Sequence, residues 1–113
     1  MKNFSVGEYP YKISATIFEQ GSDLILCISG GTKSHIGAVA IAEPDELNSA
    51  TASIFSFRGH REDLLAREAA LKFAREKKCR VVSIVGIHID NASREQIEIL
   101  QKNFRELLNL IET

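Results

Sequence analysis

The chain carries three histidines, and each lies within two residues of a glycine. His35 stands in Lys33-Ser34-His35-Ile36-Gly37, His60 in Arg58-Gly59-His60-Arg61-Glu62-Asp63, and His88 in Gly86-Ile87-His88-Ile89-Asp90-Asn91. Imidazole gains and loses its proton near neutral pH. Glycine lets a backbone approach a ligand closely or take a positive φ. Each segment falls at the end of an expected strand, where a rigid scaffold often presents binding groups. The alternative is that the three are unrelated, with His88 a core histidine between Ile87 and Ile89.

The segment around His60 is the richest. Arg58 to Asp63 holds two arginines, a histidine and two acids, and a helix is expected to follow. A helix start exposes N–H groups and a partial positive charge that favour an anion, and Arg58 or Arg61 could fork onto a phosphate or carboxylate. Glu62 and Asp63 equally suit an ordinary first turn. Gly30-Gly31-Thr32-Lys33-Ser34 is not a Walker loop: Thr32 stands where glycine should precede the lysine, and a strand rather than a helix follows. Consecutive glycine N–H groups could still form an anion nest, and a plain hairpin loop fits as well.

Zinc held by the histidines is the less favoured chemistry. They are 25 and 28 residues apart, which matches no local ligand motif. Cys27 sits inside an apolar run, and Cys79 follows Lys77 and Lys78. Both read as reduced, buried small hydrophobes. No serine lies in a Gly-x-Ser-x-Gly elbow.

The elements that must position these groups show in the periodicity. Residues 11–18 alternate, with Tyr11, Ile13, Ala15 and Ile17 on one face, and predict a strand. A turn over 20–23 leads to a second strand at 24–29, forming a hairpin. Residues 30–34 read as a loop, 36–42 as a third strand ended near Pro44, and 51–57 as a fourth. From Glu62 to Lys77 the period changes, and Ala66, Ala69, Ala70, Phe73 and Ala74 make a helical stripe. Residues 80–87 form a continuous branched run, as in a central strand covered on both faces. Ser93-Arg94-Glu95-Gln96 is a capping box, followed by a stripe of Ile97, Leu100, Phe104, Leu107, Leu108 and Ile111. The order β-β-β-β-α-β-α predicts an α+β fold, a mostly antiparallel sheet with two helices on one face. The other face must be solvated or covered by a second subunit, with Tyr11, Phe55 and Phe57 contributing to that cover. A homodimer is expected, because two-fold dimers are the commonest oligomers.

Composition sets the outer limits. The 113 residues form one expected domain, 1–113, with 44% apolar and 26% charged residues. Fourteen basic and fifteen acidic side chains leave a net charge of −1, with no basic footprint for nucleic acid or an anionic membrane. No stretch reads as a secretory signal or a spanning helix, so the cytoplasm is the expected location.

Taken in order, Gly30-Gly31, Ser34-His35-Ile36-Gly37-Ala38-Val39-Ala40, Gly59-His60-Arg61-Glu62-Asp63 and Val85-Gly86-Ile87-His88-Ile89-Asp90-Asn91-Ala92 resemble the LpdD-like family of prenylated-flavin chaperones. The likeness spans about residues 11–100. That family is similar in fold to the small proteasome-assembly chaperones, dimers with a sheet and two helices per subunit. The resemblance implies a carrier, not an enzyme. Its cargo would be prenylated FMN, or FMN, held non-covalently without a metal, and its client a UbiD-like, gallate-type decarboxylase. Gly30, Gly31, His35, Gly59, His60, Glu62, His88 and Asn91 are the positions it carries over. Physically, Lys33 or Arg61 could supply charge for the flavin phosphate, and Ala38, Ala40 and Ala42 either leave room for an apolar wall or simply permit tight packing. Alternatives are a protein-assembly chaperone without a small ligand, or a small His-dependent metalloenzyme.

Overall fold

The alternation over residues 13–20 places Ile13, Ala15 and Ile17 on the buried side of a strand, where they are at most 2% exposed. In the computed structural model, which describes residues 1–59 and 62–111, this strand is the second of six. The elements are β1 (Lys2–Val6), β2 (Ile13–Gln20), β3 (Asp23–Gly31), β4 (Ala38–Pro44), β5 (Ala50–Ser56), α1 (Asp63–Lys77), β6 (Val81–His88) and α2 (Arg94–Leu110). The expected order is present, preceded by one further strand, β1. Its sequence, Lys-Asn-Phe-Ser-Val, carries only two apolar side chains. Short, polar edge strands give weak periodic signals because one side has no neighbour to pair with.

The strands form one sheet in the order β1-β2-β3-β6-β4-β5. All neighbours are antiparallel except β3 and β6. That parallel pair follows from insertion of β6 between β3 and β4 after the α1 crossover. Pro10 therefore precedes the second strand, and Pro44 ends β4 instead of lying beyond it.

Both helices cover one face. α1 packs on β4, β5 and β6, and α2 packs on β1 and β2. The alanines of α1 explain the first contact: Ala66, Ala69, Ala70 and Ala74 are fully buried, and Ala38, Ala40 and Ala42 of β4 are at most 1% exposed. Small side chains on both surfaces let helix and strand close up to interior density. No room remains beside Ala38, Ala40 and Ala42, so they cannot wall a ligand. On α2 the predicted stripe buries Leu100, Phe104, Leu107 and Leu108. Ser93 and Gln96 close the expected capping box, with both reciprocal hydrogen bonds present. Tyr11 packs against this same core, not on the opposite face where its ring was expected.

One polar side chain is misplaced in that core. Ser83 lies in the cross-strand row between Leu26 and Ala40 and is fully buried. Its hydroxyl has no hydrogen-bond partner among the described residues. Ser83→Ala is expected to raise stability by about 1 kcal/mol, since an unsatisfied buried hydroxyl costs that much or more. A higher urea midpoint at unchanged slope would record the gain.

The opposite face bears two apolar rows. One runs Thr16, Cys27, Ile84, Val39, Phe55 across β2, β3, β6, β4 and β5. The next runs Phe18, Ile25, Val82, Ile41, Ser53. Phe57 joins them, its ring edge-on to Phe55 at 5.1 Å between centroids. Both helices lie on the other side, so Phe55 is 62% and Ile41 57% exposed. The unbroken run of β6 thus meets a helix on one face only, against the expectation of cover on both.

Candidate functional site

Three glycines seat the site. Gly31 ends β3 directly opposite His88, the last residue of β6. A Cβ on Gly31 would overlap the His88 carbonyl, and one on Gly86 would overlap the His35 carbonyl. A Cβ on Gly37 would coincide with the Glu62 carboxylate. Thus the glycines beside the histidines serve close approach between segments, each receiving a residue from another segment. Gly31 also needs its positive φ of 79°, which ends the strand and turns the chain.

This seating gathers His35, Glu62 and His88 at one end of the sheet. The two imidazole rings meet edge-on, 5.7 Å between centroids. His35 Nδ1 lies 3.3 Å from the Lys33 carbonyl, which can only accept, so this nitrogen carries the proton. Its Nε2 faces Glu62 Oε1 at 3.5 Å, an ion-pair distance when the ring is protonated. His88 Nε2 donates to Asp90 Oδ1 at 2.7 Å. Glu62 occupies the N-cap of α1 without capping it by its side chain. The carboxylate turns instead to the bare surface of Gly37 and is 8% exposed as a whole residue. The arrangement offers hydrogen-bond donors, acceptors and exchangeable protons within one small area.

Glu62 and His88 also border a cleft between the first turns of α1 and the N-terminal half of α2. The cleft has a volume of about 420 Å³. Leu65, Ile87, Ile89 and Leu100 line it, and Gln101 adds an amide. Leu64 and Ile97 stand at its sides, 71% and 44% exposed. Arg105 of α2 reaches Glu68 of α1 through two 3.2 Å hydrogen bonds, tying the helices together beside it. Volume and lining match small-molecule sites, which are mostly apolar with a few convergent polar groups.

The remaining predicted residues are placed as follows. Gly30 and Gly31 belong to β3, not to a loop. The Gly31 N–H donates to the Lys12 carbonyl and the Thr32 N–H to the His88 carbonyl, so of the two readings of this segment the nest would find these donors already used by the fold. Lys33 is exposed in the connection after β3, and Gly59 occupies an exposed turn with open space around it. Asn91 sits exposed in the turn before α2 with φ of 51°. His60 and Arg61 lie outside the described residues. Sequence reasoning missed Asp90, the seating role of Gly37 and Gly86, and the whole cleft. Gly37 and Gly86 were legible as neighbours of histidines. The cleft was not, because Ile97 and Leu100 read as ordinary core positions.

Nothing favours a cysteine nucleophile. Burial pushes both thiols up from the ordinary range; at Cys79 the Asp23 carboxylate adds to this, and Lys77 does not reverse it. Among the described residues no group of three or more His, Cys, Asp or Glu is arranged to hold a metal. No described helix is long and apolar enough to cross a membrane.

A chain from the crystal structure of a chaperone complex for yeast 20S proteasome assembly superposes with a TM-score of 0.55 over 96% of this chain and 95% of that one, at 12% identity. At that identity the likeness is one of fold. Comparison with curated proteins finds no match. The chain belongs to the family of prenylated flavin chaperone LpdD-like domains, whose sequence profile matches residues 7–113.

Proposed function

We propose that this protein binds prenylated FMN, or FMN, without a covalent bond and delivers it to an apo-decarboxylase of the UbiD-like, gallate type. It acts as a cytoplasmic accessory protein and not as a catalyst. The family match over residues 7–113 carries this reading, and the cluster beside an apolar cleft supports it. The fit can be judged on the residues themselves. The bound group would supply a phosphate, a hydrogen-bonding ring edge and an apolar ring. His35, Glu62, His88 and Asn91 provide the polar contacts, and Lys33, His60 and Arg61 the charge for the phosphate. Gly59 lets the turn before α1 come close, while Gly31 acts by seating His88 and Gly30 by letting β3 approach Lys12 and Ile13 of the neighbouring segment. A carrier has to release its cargo, so affinity in the micromolar range is expected.

The protein works as a homodimer in this reading, with the two apolar rows of the open sheet face meeting their copies. Six strands about 4.8 Å apart and about 23 Å long present a face on the order of 600 Å², close to the roughly 800 Å² per partner of a standard interface.

Titration with FMN and with prenylated FMN, followed by flavin fluorescence and absorbance, tests the carrier role. Saturable binding, and transfer of prenylated FMN to the apo-decarboxylase, are expected. Absence of binding at high micromolar concentration, with or without the decarboxylase, would reject it.

A further inference from the structure

The cleft and the polar cluster differ in what they can hold. Of the described residues lining the cleft, Arg105 is the one permanent cation, and its guanidinium is forked onto Glu68. Glu62 contributes a carboxylate at the edge. Among the described lining residues a phosphate dianion has no free counter-charge. An apolar body with hydrogen-bonding groups on one edge does fit: Leu65, Ile87 and Leu100 would meet the body, and Glu62, His88 and Gln101 the edge. The exposed Leu64 and Ile97 at the sides leave apolar surface in water that a flat ring would cover.

Resting on the carrier reading above, we propose that the α1–α2 cleft receives the fused ring system of the flavin, while the ribityl phosphate stays outside, near Lys33. The ring and the phosphate are therefore gripped by separate parts of the chain. A client could engage the exposed tail before the ring leaves.

Lumichrome, a flavin ring without the ribityl phosphate, separates the two grips. It is expected to bind the wild-type protein and to compete with FMN. Ile97→Asp and Leu64→Asp change exposed positions and should leave the thermal midpoint within a few degrees. Each is expected to weaken both lumichrome and FMN at least tenfold. Lys33→Gln should weaken FMN alone, and Glu98→Ala, outside the cleft lining, neither. FMN binding without lumichrome competition, or undiminished FMN binding by both cleft variants, would overturn the assignment and leave the carrier role standing. Failure of the wild-type protein to bind any flavin would remove the carrier role and this assignment with it.

Discussion

Gly31→Ala is expected to lose about 4 kcal/mol of folding stability, the sum of roughly 1–2 for a left-handed alanine and 1–3 for overpacking. The backbone there has φ of 79°, and the new methyl would run into the His88 carbonyl. That carbonyl cannot yield cheaply. It accepts from the Thr32 N–H at 2.8 Å and the Thr32 hydroxyl at 3.2 Å, and it ends a strand in mid-sheet. Gly21→Ala is the matched control: φ is 62°, but nothing lies within 4 Å of the added atom. It should cost about 1 kcal/mol, the conformational part alone. Urea unfolding of both variants checks the pair. Equal losses would mean that the glycine at 31 serves only its φ and that the seating of His88 is unimportant. Because a domain of this kind is stable by about 5–15 kcal/mol, the Gly31 variant should also be depleted in cells.

The second large effect concerns the open sheet face. Ile84→Asp places a carboxylate at the centre of the two apolar rows, flanked by Cys27 and Val39. If these rows meet a second copy, the charge must be buried unpaired, and the dissociation constant should rise on the order of 100-fold, as expected for a penalty of about 3 kcal/mol. Sedimentation equilibrium would show a dimer for the wild-type chain and a monomer for the variant at tens of micromolar. Phe55→Asp, at a position 62% exposed in the single chain, repeats the test with less risk to folding. A wild-type chain that sediments as a monomer, or variants that remain dimeric, would reject the dimer proposed through this face. The helices lie on the opposite side, so dimer loss and flavin binding can be read separately.

Periodicity made most of this architecture legible before any coordinates. A period of two over residues 11–18 and an alanine stripe over 62–77 each have one low-energy solution, a half-buried strand and a helix pressed on small residues. The capping box at Ser93 needs only four residues to specify itself. β1 escaped because Phe4 and Val6 are too few to set a period at a sheet edge. The parallel pairing of β3 with β6 escaped for a different reason. Strand neighbours depend on the path of the crossover, which no local window contains.

The same division holds for the site. Residue types alone marked the glycine–histidine segments, since imidazoles repeated beside glycines at strand ends are a local feature of the chain. Their interlocking was decided by tertiary structure: Gly31 faces His88 only because β6 inserts beside β3, and Gly86 receives the His35 carbonyl only because β4 begins on the other side of β6. The turn of Glu62 away from its own helix start, toward Gly37, likewise needs two segments 25 residues apart to be brought together. The cleft belongs wholly to the packed molecule, because a gap between two helices is a property of their spacing on the sheet. Local sequence set which groups were available, and long-range pairing set which of them meet.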